Sequence, residues 1–173
     1  MADTFVKIAS VTVGAGGAST MSFTSIPSTY TDLLVKFSAR SSQTGTDNSQ
    51  ANLTFNSSSS GYSDRLLYGR GSSASSASSA TSYITWAGIV PAASATANTF
   101  SNSEIYVPNY AGSTNKSLCS DNVQENNSAT DNFLTLLAGL WSNTSAITTL
   151  TLTCNGGNFV QYSTATLYGI KNS

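Results

Sequence analysis

Apolar and polar residues alternate with a period of two in short runs along most of the chain, and Gly, Ser, Asn and Pro separate the runs. That pattern predicts β-strands. In residues 32–40, Leu33, Val35, Phe37 and Ala39 fall on one face, while Lys36, Ser38 and Arg40 share the other with Leu34. A half-buried strand reads this way. Residues 148–154 alternate more strictly, with Leu150, Leu152 and Cys154 set against Thr149, Thr151 and Thr153, whose β-branching suits a pleated surface. Residues 133–141 are apolar on both faces, Leu134, Leu136 and Leu140 on one and Phe133, Leu137 and Trp141 on the other. This predicts a strand covered on both sides, with a helix as the competing reading.

Further runs at 4–13, 20–26, 51–56, 64–70, 83–90, 103–107, 117–124 and 164–171 bring the expected strands to eleven. Short strands at such spacing predict an all-β fold, an antiparallel, jelly-roll-like β-sandwich forming a single domain over residues 1–173. Gly14 to Ala18, Asn155-Gly156-Gly157 and the Ile26-Pro27 step supply turns where a positive or fixed φ is wanted. Residues 71–80 are almost wholly Ser and Ala, too little apolar area to offset the entropy of ordering them, and are expected to form an exposed loop.

Composition adds how this surface stays wet. Seven Lys plus Arg against eight Asp plus Glu leave a net charge of −1, and only 9% of residues are charged. Binding nucleic acid by counterion release is therefore not expected. Instead 32 serines and 23 threonines, close to a third of the chain, carry the polarity. Four lysines and three prolines are few to guard so many strand edges, so the edges are expected to be covered by neighbouring copies in a homo-oligomer. Neither a leader after Met1 nor an apolar run of membrane-spanning length is visible, so synthesis in a cytosol and no membrane partner are expected.

Candidate chemistry is sparse. Histidine is absent, which removes the usual imidazole base, a common zinc ligand and the switch near neutral pH. Cys119 and Cys154 are too far apart for a CxxC motif and too few for a four-thiolate site, and are expected to be buried free thiols, a bridge being the alternative. Asp121, Glu125 and Asp131 form a local acidic cluster, and a sandwich glycosidase works with two carboxylates. Nothing in a polar inter-strand stretch fixes their separation, so solvated loop residues are the simpler reading. Together with Asn122, Asn126 and Asn127 they offer the oxygens that Ca²⁺ prefers, without the spacing of an EF-hand loop. No catalytic residue, metal ligand or cofactor site is predicted. Tyr62, Tyr68, Tyr106, Tyr110 and Tyr162 offer rings for stacking on sugars, although packing at sheet margins explains them as well, and Trp86 and Trp141 are expected in the core. Gly14-Ala15-Gly16-Gly17 lacks the helix and lysine of a phosphate loop and reads as a turn. Sequons at Asn52, Asn56, Asn115, Asn126 and Asn143 follow from the abundance of Ser and Thr.

Three segments carry a resemblance: Phe23-Thr24-Ser25-Ile26-Pro27-Ser28-Thr29-Tyr30-Thr31-Asp32-Leu33, Glu104-Ile105-Tyr106-Val107-Pro108-Asn109-Tyr110 and Ala165-Thr166-Leu167-Tyr168-Gly169-Ile170-Lys171. With them the chain resembles the β-sandwich structural proteins of tailed-bacteriophage virions. The resemblance implies a non-enzymatic component of the virion surface, made in the host bacterial cytoplasm. A fibre shaft needs a long repeat or heptads, and neither is present, so a capsid decoration (cement) protein is the leading expectation. Its expected partners are the phage major capsid protein and further copies of itself as a homotrimer, with strand edges and residues 4–13 as contact surfaces. The alternative is a tail fibre, appendage or receptor-binding module that contacts host glycans through Tyr106, Asn109 and Tyr110.

Overall fold

In a computed structural model that describes residues 4–171, all eleven expected runs are strands, and a twelfth joins them. Numbered in chain order, eight form one sheet: β1 (Phe5–Thr12), β3 (Asp32–Ser38), β5 (Tyr62–Arg70), β6 (Ser73–Ser79), β8 (Asn102–Val107), β9 (Lys116–Gln124), β10 (Phe133–Trp141) and β12 (Thr164–Ile170). Their hydrogen-bonded order is β1-β12-β3-β8-β9-β10-β5-β6. The remaining four, β2 (Thr20–Phe23), β4 (Asn48–Phe55), β7 (Ile84–Pro91) and β11 (Leu150–Asn155), form a smaller sheet in the order β2-β11-β4-β7. Every pairing is antiparallel. The first and last strands pair with one another, and β8, β9 and β10 form a meander at the centre of the large sheet. Described residues contain no helix long and apolar enough to cross a membrane.

The alternation read from the sequence sets the packing. Leu33, Val35, Phe37, Ile105, Leu118, Leu137, Ala165 and Leu167 point inward from the large sheet, and Met21, Phe23, Leu53, Phe55, Leu150 and Leu152 meet them from the small one. Strand β7 lies across β9, β10 and β5. Its close approach to β3 and β8 depends on Gly88, where a Cβ would fall 2.4 Å from the Phe37 ring and 3.0 Å from Ser103 Oγ. At the β5–β10 end Trp141 is buried, stacked on Tyr62 with centroids 6.0 Å apart and tilted against Phe55 at 5.6 Å. The Tyr62 hydroxyl accepts from the Phe55 N–H and donates to the Phe55 carbonyl, so the polar tip of a buried ring is satisfied. Trp86, expected in the core, is half-buried, and its ring packs at 5.4 Å on Tyr68 and 6.0 Å on Phe133.

Two charged side chains work as loop staples. The Arg40 guanidinium, on a nearly buried residue, donates to the carbonyls of Thr96 (2.8 Å), Ala95 (2.9 Å) and Thr99 (3.2 Å), tying the 92–101 loop to the end of β3. Lys116 is buried, and its ammonium donates to the carbonyls of Gly112 and Thr114.

Two expectations need correction. Residues 71–80 are exposed but are not a loop: β6 pairs along its whole length with β5. Backbone pairing needs no side-chain burial, and burial was the criterion that made this stretch look unstructured. A two-residue turn, Gly71-Ser72 with Gly71 at φ +54°, starts the hairpin. Its far end is clamped by Asp64, which accepts from Ser79 Oγ at 2.6 Å and from Thr85 N at 2.9 Å. The second correction concerns β10. Phe133, Leu137 and Trp141 are buried, but Leu134 and Leu136 are 62% and 58% exposed, so one of the two apolar faces is bare. The small sheet covers only one side of the large one, and on the other side Leu134 and Leu136 are left open.

Candidate functional site

That bare face is the feature of the surface that composition does not explain. On its outer side β10 presents Leu134, Leu136 and Ala138. Register places Leu134 beside Val123 of β9 and Leu136 beside Leu67 of β5. Val123 and Leu67 are 47% and 57% exposed, so four large apolar side chains on three adjacent strands form one patch. Isolated surface leucines are ordinary, but a contiguous group of this kind marks an interaction surface. A groove of about 450 Å³ between the rows is lined by Leu67, Gly69, Ala74, Leu134 and Leu136, with Asp121 as its charged member. Strands of nine residues span roughly 30 Å, and these three at ~4.8 Å spacing make a face of about 430 Å², about half of the ~800 Å² each partner contributes to a standard protein interface.

The small sheet provides the contrast. Its outer side carries Thr20, Ser22, Thr54, Thr151 and Thr153, with Ser22 Oγ donating to Thr151 Oγ1 at 3.1 Å. A face meant for water is built from hydroxyls in this protein; the outer face of β9, β10 and β5 instead sets Leu67, Val123, Leu134 and Leu136 together, with Arg65, Cys119 and Asp121 around them. Farther along the large sheet, Lys36 and Glu104 form an exposed ion pair at 2.7 Å, and polar groups take over from the apolar ones.

The acidic residues do not converge. Asp121 lies on the outer face, opposite Glu104 of β8 and Leu136 of β10. Asp131 accepts from Arg70 Nε at 2.7 Å and Asn48 Nδ2 at 2.8 Å, and Glu125 accepts from Asn127 N and Asn132 Nδ2. Asn122 is buried, donating to Ile89 O and Ser103 Oγ, while Asn126 donates to the Asp131 carbonyl and accepts from Ser128 N. These are the bonds of a folded β9–β10 connection and, for Asn122, of a strand residue tied to β7 and β8. Among the described residues no three His, Cys, Asp or Glu side chains stand where they could share a metal ion.

The aromatic residues separate in the same way. Tyr110 is fully buried and its hydroxyl donates to the Pro27 carbonyl, so its ring offers no stacking surface. Tyr106 is half-buried and donates to Asp32 Oδ2 at 2.8 Å, while the exposed Asn109 gives its backbone N–H to Asp32 Oδ1 at 2.9 Å. Tyr106 and Asn109 stay at the surface, and a pair of exposed rings is not formed.

These phenols give the protein a pH dependence of definite sign. Burial raises the Tyr62 and Tyr110 pKa values above the ordinary 10.0, and the hydrogen bond to Asp32, followed by burial, raises that of Tyr106. The unfolded chain ionises at the ordinary value and the fold holds its protons longer, so their stabilisation is complete below about pH 10 and is lost as pH rises through the folded values. Lys116 and Arg40 act oppositely, because burial lowers their pKa values, while the raised Cys154 thiol and Lys36 ammonium act in the same sense as the phenols. Urea midpoints are expected to be level from neutrality to about pH 9 and to fall above about pH 10; an unchanged midpoint near pH 11 would contradict this assignment.

Both cysteines are free, and only one is buried. Cys154 packs under the small sheet with Sγ 3.2 Å from Ser41 Oγ, and burial pushes its thiol pKa up. Cys119 is exposed on the outer face, beside Ala138 and Tyr106, because its position in β9 is outward while Leu118 and Ser120 point inward. One thiol per native chain is expected to react with a maleimide and two in denaturant; protection of Cys119 in the native chain would show this part of the face to be covered.

Sequence reasoning placed Leu134 and Leu136 on one face of a strand but did not assemble the patch. The available signal was that β10 is apolar on both sides while the strands beside it are not. Compared with protein-family models, with curated proteins and with solved structures, the chain finds no match in any of the three.

Proposed function

We propose that the protein is a non-enzymatic structural component of a bacteriophage virion surface, of the capsid decoration type, which docks on coat subunits through the outer face of its large sheet. The observation that carries this reading is the uncovered patch of Leu67, Val123, Leu134 and Leu136 on a rigid sheet. Docking by such a face needs no side-chain reactivity. It is also insensitive to salt, since apolar burial persists at ionic strengths that screen surface ion pairs. A repeated array of such contacts on a shell gains further from high local concentration once the first copies are seated.

The tail-appendage alternative relies on a glycan platform, and the burial of Tyr110 removes one of its three expected contacts, although Tyr162 is an exposed ring elsewhere. Imaging of particles that carry this chain decides between the two. Density distributed over the head, with β9, β10 and β5 turned toward the coat, is the expected result. Density confined to the tail rejects the decoration reading.

A further inference from the structure

Sheet edges expose unpaired backbone N–H and C=O groups, and folded proteins protect them with short strands, bulges, lysine or proline. Three of the four edges here are protected. Strand β1 carries Lys7 and an irregularity in its register between Lys7 and Ala9. Strand β2 is only four residues long. Strand β7 ends in Pro91 and is interrupted opposite Ala51 and Leu53, where Trp86 takes φ +55°.

Strand β6 has none of these devices. It is seven residues of Ser and Ala in regular register with β5, without charge or proline. Its outer row of backbone groups has no partner among the described residues. Both ends are pinned, by the Gly71 turn with Gly71 N donating to Asn132 Oδ1, and by Ser79 on Asp64, so the strand is ordered before anything binds it. Pre-ordering removes most of the entropic cost of adding a strand.

We infer that β6 is a self-association edge, pairing antiparallel with β6 of a second copy so that two eight-stranded sheets run on as one. The occupant follows from the side chains. Recognition of a foreign strand draws its specificity from pockets for alternate side chains, which a Ser/Ala strand does not provide. A second β6 is neutral and small, and the register that pairs all seven residues is centred on Ser76. Ser76 then faces its own counterpart, and Ala74 faces Ser78. The symmetry is a twofold normal to the sheet, because like edges pair isologously. It replaces the threefold implied by the resemblance. It also keeps both leucine patches on the same side, since Ser76 shares the outer face with Leu67. The inference is independent of the coat-docking reading, because it concerns the isolated chain.

The 173-residue chain is expected to sediment at twice its 17.9 kDa mass. Ser76→Lys places two ammonium groups opposite one another and is expected to return the mass to that of one chain, which keeps its β-sheet circular dichroism and cooperative unfolding but loses the concentration dependence of its melting temperature. In a Cys119→Ser background, Ser76→Cys is expected to give a disulfide-linked dimer on non-reducing gels, whereas Ser78→Cys remains a single chain. A wild-type mass of one chain up to high micromolar concentration, a trimer, a Ser76→Lys variant that stays dimeric, or cross-linking at 78 in place of 76 would each overturn the inference.

Discussion

Glutamate at both Leu134 and Leu136 is expected to leave the protein folded and to abolish the coat docking proposed for it. In the free chain these side chains are 62% and 58% exposed, so replacing them removes little burial, and the cost to folding should stay within about 1 kcal/mol. In the proposed complex the same positions lie at the centre of the patch, between Val123 and Leu67. Centrally buried anchors typically cost ~2 kcal/mol or more each when truncated, and here unpaired carboxylates would also enter a dry contact beside Asp121. Two such losses weaken binding by about three orders of magnitude. Co-sedimentation with particles lacking the protein measures this. A matched control places glutamate at Thr151 and Thr153 on the hydroxyl face of the small sheet, where docking is expected to survive. If the leucine variant binds as well as the parent, or if the threonine variant is the one that fails, the outer face of the large sheet is not the docking surface.

The contrast between those two faces shows what could be read from residues alone. Strands β3 and β11 were legible because each buries one face, and period-two alternation reports that arrangement directly: Leu33, Val35 and Phe37 are buried, as are Leu150, Leu152 and Cys154. Strand β10 was legible as a strand, but its environment was misjudged. Leucine on both faces ordinarily means cover on both faces, and a single chain does not disclose whether the second cover belongs to itself or to a partner. The gap between the expected and the observed cover is therefore what the proposed docking rests on. Strand β6 failed for the opposite reason: its order comes from backbone pairing with β5 and from the Asp64 clamp, neither of which leaves a hydrophobic pattern. Tyr110 and Cys119 exchanged roles, the ring being buried and the thiol exposed, because inward and outward positions in a loop and in a strand depend on register.

Removing the Trp141 side chain is expected to produce the largest loss of stability among single substitutions in this core. The indole fills the space between Tyr62 and Phe55 and is 1% exposed, so Trp141→Ala leaves a cavity walled by two rings held by neighbouring strands. Rigid walls collapse poorly, and substitutions of this kind cost about 3–5 kcal/mol. For a chain of this length that corresponds to a fall of roughly 6–20 °C in Tm. Trp141→Phe separates the effect of volume from that of polarity. The indole Nε1 is buried without a hydrogen-bond acceptor, so phenylalanine removes an unsatisfied donor while retaining most of the packing. The phenylalanine variant is therefore expected to recover more than half of the loss seen with alanine. Equal losses for the two variants would show that Nε1 has a partner in solution, and a small loss for alanine would show that the Tyr62–Phe55 wall closes over the gap.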